Sequence, residues 1–570
     1  MKKIIWTISS LLILPAFLTA QNQPQPSQPS NQSAQQPQQT PTKSKKKTQA
    51  QQEPQKPAEQ TTKEPQPSEQ PPTVEPKAPS EKPSGAEAGE PTPGIEPNLR
   101  DEPAVVTQHE IHIGGKTLRY TATAGRLPLK DASGKITAEM FFVAYTVPGT
   151  PANERPVTFA YNGGPGSASI WLHMGALGPK RVVMQPEGWM PASPYRLVDN
   201  EDTIIDKTDL VMVDAMATGF SRAADEKSLK HYLGVKGDIE AFGEFIRMYI
   251  SRYERWSSPL YLFGESYGTT RSAGLSGYLI EKGIAFNGIY LLSTAVDLGT
   301  LVTPHGNDLS YILIVPSYAM AAAYHHKLAP ELAQDAAKLR SEVEDWAWKV
   351  YAPALAKGDS ISPDERAQVI EQLSKYTGIT KDVIDQANLR LDVPKFTHYL
   401  LLDQKLRIGR LDDRFTGPDP DGVLDTPEYD PSGSQPNPPF TSTFNNYLRT
   451  ELNYKTDMPY YVMAQGPKFW ETWDWGNAIE GIPSTSMDLR EAMTKDPYLK
   501  IMVGEGYYDL ATPFFAADYT VDHLDLPANL RKNISFAHYD SGHMVYLRQS
   551  EHDKLKKDFA QFVDGTVKGQ

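Results

Sequence analysis

The pentapeptide Gly264-Glu-Ser266-Tyr-Gly268 contains the residue of this chain that is best placed to act as a nucleophile. A serine hydroxyl attacks a carbonyl carbon only weakly unless a base accepts its proton and a carboxylate orients that base. The pattern G-x-S-x-G is typical of a sharp strand-to-helix turn, where glycines permit a tight backbone and the serine oxygen is exposed. It predicts a nucleophile at Ser266, whose base and acid must come from elsewhere in the chain.

Two later loops supply a suitable acid and a suitable base. Asp509 follows the apolar run 498–503, and His543 follows the apolar run 533–537. Each residue alone has an ordinary interpretation, because an aspartate also forms turns and a histidine also occurs on surfaces and in cores. Together they continue the order serine, acid, histidine, each after a run typical of a strand. We therefore predict a catalytic triad of Ser266, Asp509 and His543.

These three residues require a sheet that carries them at the carboxyl ends of its strands. Short apolar runs alternate with segments of helical spacing such as residues 235–256, which indicates a parallel α/β sheet. The runs are 157–161, 209–214, 259–263, 288–293, 498–503 and 533–537. Before them, alternating apolar and polar residues at 105–120 and 138–147 predict an antiparallel start with a turn at Gly114-Gly115.

Strand order and motif order together predict an α/β-hydrolase fold. We expect a mostly parallel central sheet with helices on both faces and an inserted, mainly helical cap. The predicted domains are a first core segment at residues 103–296, the cap at 297–496 and a second core segment at 497–570. Within the cap, the tryptophans at 470–475 could line a substrate pocket or pack between cap and core.

A glycine-rich turn, Asn162-Gly-Gly164-Pro-Gly166, follows the apolar run 157–161. The oxyanion that forms during acyl transfer needs backbone N–H groups that are already in place. We predict that the amide of Tyr267 and an amide of this turn provide them. A phosphate-binding loop is the alternative interpretation of the turn. No Lys-Ser/Thr pair follows the glycines, so we do not expect a nucleotide site.

The first 102 residues differ from the rest of the chain. Residues 1–20 start basic, continue mostly apolar and end on small residues, which predicts a cleaved signal peptide; an uncleaved anchor is the alternative. Residues 21–102 are rich in Pro, Gln, Ser, Lys and Glu and lack aromatic residues, which predicts a disordered linker. We expect an exported, periplasmic or secreted protein without a membrane span after signal cleavage. The linker also permits association with the cell envelope.

The composition limits the partners of this chain. The formal net charge of −13, without a basic stripe in the predicted folded part, argues against nucleic acid. Cysteine is absent, which excludes disulfides and a lipid-modified cysteine anchor. His109-Glu-Ile-His112 lacks the H-E-x-x-H spacing, and residues 419–425 lack the full spacing of a calcium loop. We therefore expect no metal and no cofactor.

Four blocks occur together in this chain: Asn162-Gly-Gly-Pro-Gly-Ser167, Thr218-Gly-Phe-Ser221, Gly264-Glu-Ser-Tyr-Gly268 and Gly542-His-Met544. Their combination resembles the serine carboxypeptidases, and the segment 509–513 is a weaker fifth likeness. The resemblance implies that Ser266 is the nucleophile, that His543 is the general base and then acid, and that Asp509 orients it. It also implies an oxyanion hole made by the amides of Gly164 and Tyr267, and a site for the substrate's free α-carboxylate made by Asn162 and Glu265.

A glutamate that faces a substrate carboxylate has a definite chemical requirement. Two carboxyl groups at hydrogen-bond distance must share a proton, because like charges raise one pKa. We therefore expect peptide binding to be favoured at acidic pH and to weaken as the pH rises. The expected function is a serine-type carboxypeptidase that releases C-terminal amino acids from peptides through an acyl-enzyme. The alternatives are an esterase or acyltransferase on the same scaffold, and a non-catalytic binding protein.

Overall fold

The computed structural model describes residues 93–420, 422, 428–465, 469, 472–476 and 482–567. The predicted signal peptide at 1–20 and residues 21–92 of the predicted linker lie outside the described residues. Trp470 and Asp425, which belong to two of the segments named above, also lie outside them.

The strands of the described residues form one large sheet and two small ones. In chain order they are β1 Val105–Ile113, β2 Lys116–Lys130, β3 Ile136–Thr146, β4 Val157–Tyr161, β5 Lys180–Val182, β6 Leu197–Asp199, β7 Asp209–Val213, β8 Arg222–Ala223, β9 Leu260–Ser266, β10 Gly288–Thr294, β11 Leu406–Ile408, β12 Thr416–Pro418, β13 Lys500–Gly506 and β14 Ile534–Tyr539. Each apolar run that predicts a strand of the parallel sheet overlaps one of them.

The large sheet has the order β1-β2-β3-β7-β4-β9-β10-β13-β14, and β8 pairs with β3. From β7 to β14 every neighbouring pair is parallel, whereas β1, β2 and β3 form an antiparallel edge. Because parallel strands end at the same edge of a sheet, the loops after β4, β9, β13 and β14 meet there. The predicted α/β-hydrolase fold is confirmed.

Strand β2 is longer than the sequence pattern predicts. The alternation of residues 105–120 predicts an end near Tyr120, but β2 continues to Lys130 and pairs with β3 over that length. Most residues of this extension are buried. A strand covered on both faces is apolar throughout, so the alternation that identifies a half-buried strand is lost.

Helices cover both faces of the large sheet. One face packs against helices that contribute Phe242, Leu275, Leu489 and Val521 to a shared apolar core; these helices are Val235–Arg252, Tyr267–Ile280, Ser486–Lys495 and Phe514–Asp522. The other face packs against helices that contribute Phe440, Tyr447 and Phe559; these are Asn437–Thr450 and Gln549–Val567.

The inserted region has an apolar core of its own, which includes Val343, Leu373 and Phe396. Its helices are Leu309–Tyr324, Pro330–Ala333, Ala336–Trp346, Ala352–Ala356, Pro363–Thr377, Lys381–Gln386 and Val393–Tyr399. Shorter α-helices at other positions are Ile170–Leu172, Glu226–Tyr232, Pro431–Ser434 and Ala528–Arg531. No helix in the described part of the chain combines the length and the apolar character that crossing a membrane requires.

Two predicted domain boundaries need correction. Ile95 forms a β-bridge with Ala223, and Glu96 forms an ion pair with Arg126, so the end of the predicted linker already belongs to the folded region. The Pro- and Gly-rich composition of this segment hides its backbone pairing. The helix Ser486–Lys495, predicted as cap, packs on the sheet and belongs to the core.

Candidate active site

Ser266 lies at the junction of β9 and the helix Tyr267–Ile280, which we call the elbow helix. Its backbone has φ 60° and ψ −131°, a conformation that is costly for a residue with a side chain. A Cβ at Gly264 would lie 2.3 Å from the carbonyl oxygen of Gly268, and one at Gly268 would lie 2.9 Å from that of Tyr161. Only glycine fits at these two positions, so the chain turns sharply and exposes Ser266.

The predicted acid and base are in direct contact. Nδ1 of His543 lies 2.6 Å from Oδ2 of Asp509. Because an ionised carboxylate only accepts hydrogen bonds, Nδ1 carries the proton and Nε2 keeps its lone pair. Oδ1 of the fully buried Asp509 accepts the amides of Ala511 at 2.7 Å and Thr512 at 3.0 Å, which fixes the carboxylate. The imidazole is thereby oriented as a base requires.

The surroundings of His543 shift its pKa in opposite directions. Burial lowers the pKa, but the charge of Asp509, the hydrogen bond to Asp509 and the charge of Glu265 raise it, and the net shift is upward. A histidine accepts a serine proton only when it is neutral. A triad containing His543 therefore works only at a pH high enough to deprotonate this imidazole.

Ser266 and His543 line the same cavity, whose volume is about 460 Å³. Apolar side chains form much of its wall; they are Trp171, Leu411, Val462, Met463 and Met544. Among the described lining residues, the side chains able to carry charge are Glu265, Arg410 and His543. A largely apolar cavity with a few polar groups is typical of a small-ligand site.

The glycine-rich turn packs against the start of the elbow helix. A Cβ at Gly163 would lie only 2.3 Å from the amide nitrogen of Tyr267. Gly164 follows with φ +107°, a conformation that favours glycine, and it lines the cavity beside Ser266. Backbone N–H groups at a helix start attract negative charge. The turn and the helix start therefore suit an oxyanion next to Ser266.

Asn162 and Glu265 form a buried pair at the edge of the cavity. Nδ2 of Asn162 donates to Oε1 of Glu265 at 2.8 Å, and Oδ1 of Asn162 accepts the amide of Leu172 at 3.0 Å, which fixes the orientation of the amide group. Oε2 of Glu265 has no hydrogen-bond partner in the described residues. The hydroxyl of Tyr546 lies near this carboxyl, although its geometry falls short of a hydrogen bond.

Burial raises the pKa of Glu265 to about 7, against the lowering effects of His543, Tyr546 and Asn162. The carboxyl is therefore protonated at acidic pH and ionised above neutral pH. In its protonated state it can donate one hydrogen bond to a ligand that carries a carboxylate.

Arg271 contacts the backbone of the glycine-rich turn from the protein interior. It is not among the site residues that the sequence analysis predicts. This fully buried side chain of the elbow helix donates to the carbonyl oxygen of Asn162 at 2.8 Å and to Oδ2 of Asp238 at 2.7 Å. The guanidinium group also lies over the rings of Phe242 and Tyr267. The sequence could have indicated this role. An arginine among small residues just after a nucleophile elbow predicts a buried charge, and a buried charge needs a partner.

A second element that the sequence pattern did not predict is the loop 410–414 of the inserted region. The amide of His543 donates to the carbonyl oxygen of Leu411 at 2.6 Å, and the amide of Leu510 donates to that of Arg410 at 3.1 Å. One loop thus binds both the segment of the predicted base and the segment of the predicted acid. Its position is set by tertiary contacts between segments of the chain that are far apart in sequence.

An ion pair within the loop 410–414 reaches the residues before His543. Asp412 and Arg414 form a two-pronged pair with distances of 2.9 and 2.6 Å. Oδ2 of Asp412 also accepts the amide of Gly542 at 3.1 Å, and Arg414 donates to Oγ of Ser541 at 3.1 Å. In sequence, Arg-Leu-Asp-Asp-Arg looks like an exposed charge cluster, so nothing local indicates this role.

Trp473 packs between the inserted region and the core. Its ring meets that of Tyr267 edge to face at 5.6 Å, and its side chain is buried with those of Leu233 and Phe469. Of the two interpretations given for the tryptophan segment, the structure shows packing for this residue.

Comparison with known proteins relates part of the chain to one family. Residues 116–346 match the sequence model of the family described as serine carboxypeptidase. Over these residues the chain is similar to the serine carboxypeptidase family. A curated relative is serine carboxypeptidase S10 family member 1 of Dictyostelium discoideum, which is 26% identical over 171 residues. The aligned region spans 30% of this chain and 38% of that relative.

Two hydrolases are among the solved structures that the comparison matched to this chain. The proline iminopeptidase of Mycobacterium smegmatis has 12% sequence identity and a TM-score of 0.35, and the match covers 78% of this chain and 99% of that chain. A carboxyl esterase from Bacillus coagulans has 12% identity and a TM-score of 0.33, with the same shares of 78% and 99%.

The region that matches the serine carboxypeptidases contains five of the predicted site residues, namely Asn162, Gly164, Glu265, Ser266 and Tyr267. Asp509 and His543 lie beyond it. The sheet brings the two groups together, because β9, β13 and β14 end at the same edge. Ser266 and His543 then line one cavity, with Asp509 bonded to His543.

Proposed function

We propose that this protein is a serine carboxypeptidase, which removes the C-terminal residue from peptides through a Ser266–His543–Asp509 triad. One observation carries the proposal: the buried Asn162–Glu265 pair lines the same cavity as Ser266 and leaves one carboxyl oxygen unpartnered in the described residues. A buried polar atom without a partner is costly. The free carboxylate of a peptide is a ligand that would satisfy it.

The proposed reaction uses residues that line the cavity. Oγ of Ser266 attacks the last peptide carbonyl carbon while Nε2 of His543 takes the hydroxyl proton. The amides of Gly164 and Tyr267 bind the oxyanion. His543 then gives the proton to the leaving amine, so the terminal amino acid departs and an acyl-enzyme remains. Water, deprotonated by His543, breaks the ester and restores the Ser266 hydroxyl.

Recognition of the chain end depends on protonated Glu265. Its proton forms a hydrogen bond with the substrate carboxylate, and the second Nδ2 hydrogen of Asn162 is available for the same group. Ionised Glu265 would repel that carboxylate at short range. We therefore propose that peptide binding is favoured at acidic pH, since burial raises the pKa of Glu265 to about 7.

The decisive experiment compares a blocked dipeptide that has a free C-terminus with its C-terminal amide and its C-terminal ester, at acidic and neutral pH. We expect the free acid to be hydrolysed with the highest kcat/KM, and we expect Ser266→Ala to abolish turnover of all three. Equal turnover of the three compounds would contradict the carboxypeptidase and favour the esterase.

We further propose that the protein is exported and that residues 1–20 are removed, because these residues have the basic start and apolar stretch of a signal peptide. N-terminal sequencing of the protein recovered from separated cell fractions tests this. An intact Met1 on cytoplasmic material would refute it.

A further inference from the structure

A cluster of metal-ligating side chains lies outside the active site, where the helix Gln549–Val567 meets the loop after β6. It consists of Asp202, His552 and Asp553, which offer ligand atoms that all lie within 4.8 Å of one another. Two ligand atoms on opposite sides of a divalent cation are about 4 to 5 Å apart, because each lies about 2.0–2.5 Å from it. The three side chains can therefore reach one ion.

The imidazole of His552 directs an unused nitrogen into this cluster. Nε2 lies 3.0 Å from the carbonyl oxygen of Ala176, so Nε2 carries the proton and Nδ1 keeps its lone pair. The side chain is only 1% exposed, and Nδ1 has no hydrogen-bond partner in the described residues. Nδ1 lies 3.8 Å from Oδ2 of Asp202. A buried lone pair that faces a carboxylate is unfavourable unless a positive charge lies between them.

The two carboxyl groups also face each other. A carboxylate oxygen of Asp202 and one of Asp553 lie within 4.8 Å of each other. Asp553 is held in place by Gln549, whose Nε2 donates to its Oδ1 at 2.7 Å. Two adjacent carboxylates repel each other, and a divalent cation between them would relieve that repulsion.

Two basic side chains lie near the cluster, but neither forms a direct ion pair with its carboxylates in the described part of the chain. Lys556 donates to the carbonyl oxygen of Thr203 and pairs with Asp206. Arg181 interacts electrostatically with Asp202 and Asp553, but it forms no direct ion pair with either of them in the described part of the chain. The space between the three ligand atoms is therefore not taken by either cation.

We propose that Asp202, His552 and Asp553 bind one divalent transition-metal cation, preferentially Zn²⁺. One imidazole nitrogen and two carboxylate oxygens suit Zn²⁺, whereas Ca²⁺ prefers oxygen ligands alone. The carbonyl oxygen of Ala176 fixes the imidazole in the orientation that metal-binding histidines usually have. The sequence pattern predicted no metal, because these ligands come from distant segments and share no spacing motif.

Metal binding would link two segments of the fold. The ion would fasten the first turn of the helix Gln549–Val567, which begins soon after His543, to the loop after β6. Ala176 belongs to the helical turn His173–Leu177, which follows the glycine-rich turn of the active site. The metal site would therefore stabilise the start of the helix Gln549–Val567 and the helical turn His173–Leu177, and it would take no part in the reaction.

The test measures Zn²⁺ binding to the tag-free full chain after treatment with a chelator, by calorimetry and by metal analysis. We expect about one Zn²⁺ per chain, binding at least about tenfold tighter than Ca²⁺, and a rise in Tm when Zn²⁺ is added. Asp202→Asn is nearly isosteric and partly exposed, so it should fold; we expect it to weaken Zn²⁺ binding by about tenfold or more and to remove the rise in Tm. His552→Ala should act in the same direction.

His231→Ala is the matched control, because His231 pairs with the carboxylate of Glu240 at 3.7 Å on an exposed surface. We expect this variant to bind Zn²⁺ like the unmodified protein. Equal Zn²⁺ binding by the unmodified protein and Asp202→Asn would overturn the proposal. So would an absence of bound Zn²⁺. Neither outcome bears on carboxypeptidase activity, which is measured separately.

Discussion

Replacing Glu265 by glutamine tests whether a protonated carboxyl group recognises the end of the substrate. Burial raises the pKa of Glu265 from an ordinary value of 4.5 to about 7, so the unmodified side chain changes from a neutral donor to an anion across neutral pH. Glutamine stays neutral and keeps a donor at every pH. Asn162, which donates to Oε1 of Glu265, can donate to the glutamine oxygen in the same way.

The size of the effect follows from this pKa. With a pKa of about 7, the protonated fraction of Glu265 falls roughly tenfold between pH 6 and pH 8. Because kcat/KM reports the ionisation of the free enzyme, we expect the ratio of kcat/KM for a peptide acid to that for its amide to fall by about the same factor; both substrates need neutral His543, and only the acid needs protonated Glu265. In Glu265→Gln this alkaline decline should disappear. The acidic limb should move to lower pH, because the charge of Glu265 is one of the causes that raise the pKa of His543.

The assay is kcat/KM for a blocked dipeptide acid and for its amide, from about pH 5 to about pH 9. Glu505→Gln is the matched control, because Glu505 is also fully buried, burial raises its pKa, and it bonds the amide of Thr294 at 3.1 Å. Glu505 does not line the cavity, so this variant should keep the alkaline decline. The reasoning is refuted if Glu265→Gln keeps the full tenfold decline in the acid-to-amide ratio, or if the unmodified protein shows no decline in that ratio.

The same contacts lead to four more expected outcomes. Glu265→Gln should stabilise the fold at pH 8. Between pH 4.5 and about 7 the folded chain holds a proton on Glu265 that the unfolded chain has released, so ionising this carboxyl in the folded chain costs about 3 kcal/mol of unfolding free energy. Denaturation of both proteins at pH 5 and pH 8 measures this cost. Asp509→Asn should lower kcat by about 10⁴ with unchanged Tm, because the imidazole loses its orienting carboxylate. Arg271→Met should lower the unfolding free energy by about 3–5 kcal/mol, since it leaves Asp238 buried without its partner; a loss below about 1 kcal/mol in urea denaturation would contradict this. Arg410→Gln should reduce kcat/KM for a peptide ending in Glu by about tenfold relative to one ending in Gln. The reason is that no other Arg and no Lys lines the cavity among the described residues, so Arg410 is expected to pair with the acidic side chain of the substrate. An unchanged ratio would exclude a contact between Arg410 and that side chain.

Much of the fold can be predicted from local pattern. Apolar runs of strand length, such as those at 157–161 and 498–503, correspond to strands because a parallel strand covered on both faces must be apolar along its length. The glycines at 264 and 268 predict the turn at Ser266 for an equally local reason, since a Cβ at either position would collide with backbone. The predicted domain boundaries were less accurate, because Ile95 and the helix Ser486–Lys495 are held by partners distant in sequence.

The chain by itself therefore determined which side chains were available for chemistry and the turn that exposes Ser266. These features depend on residue type and on neighbours only a few positions away. Tertiary structure alone decided what surrounds those side chains. The raised pKa of Glu265 comes from burial among several segments, the loop 410–414 bonds the segments of both Asp509 and His543, and His552 meets Asp202 across the fold. Burial and hydrogen bonding between distant segments leave no periodic trace in sequence, because they arise only when the packed chain excludes water.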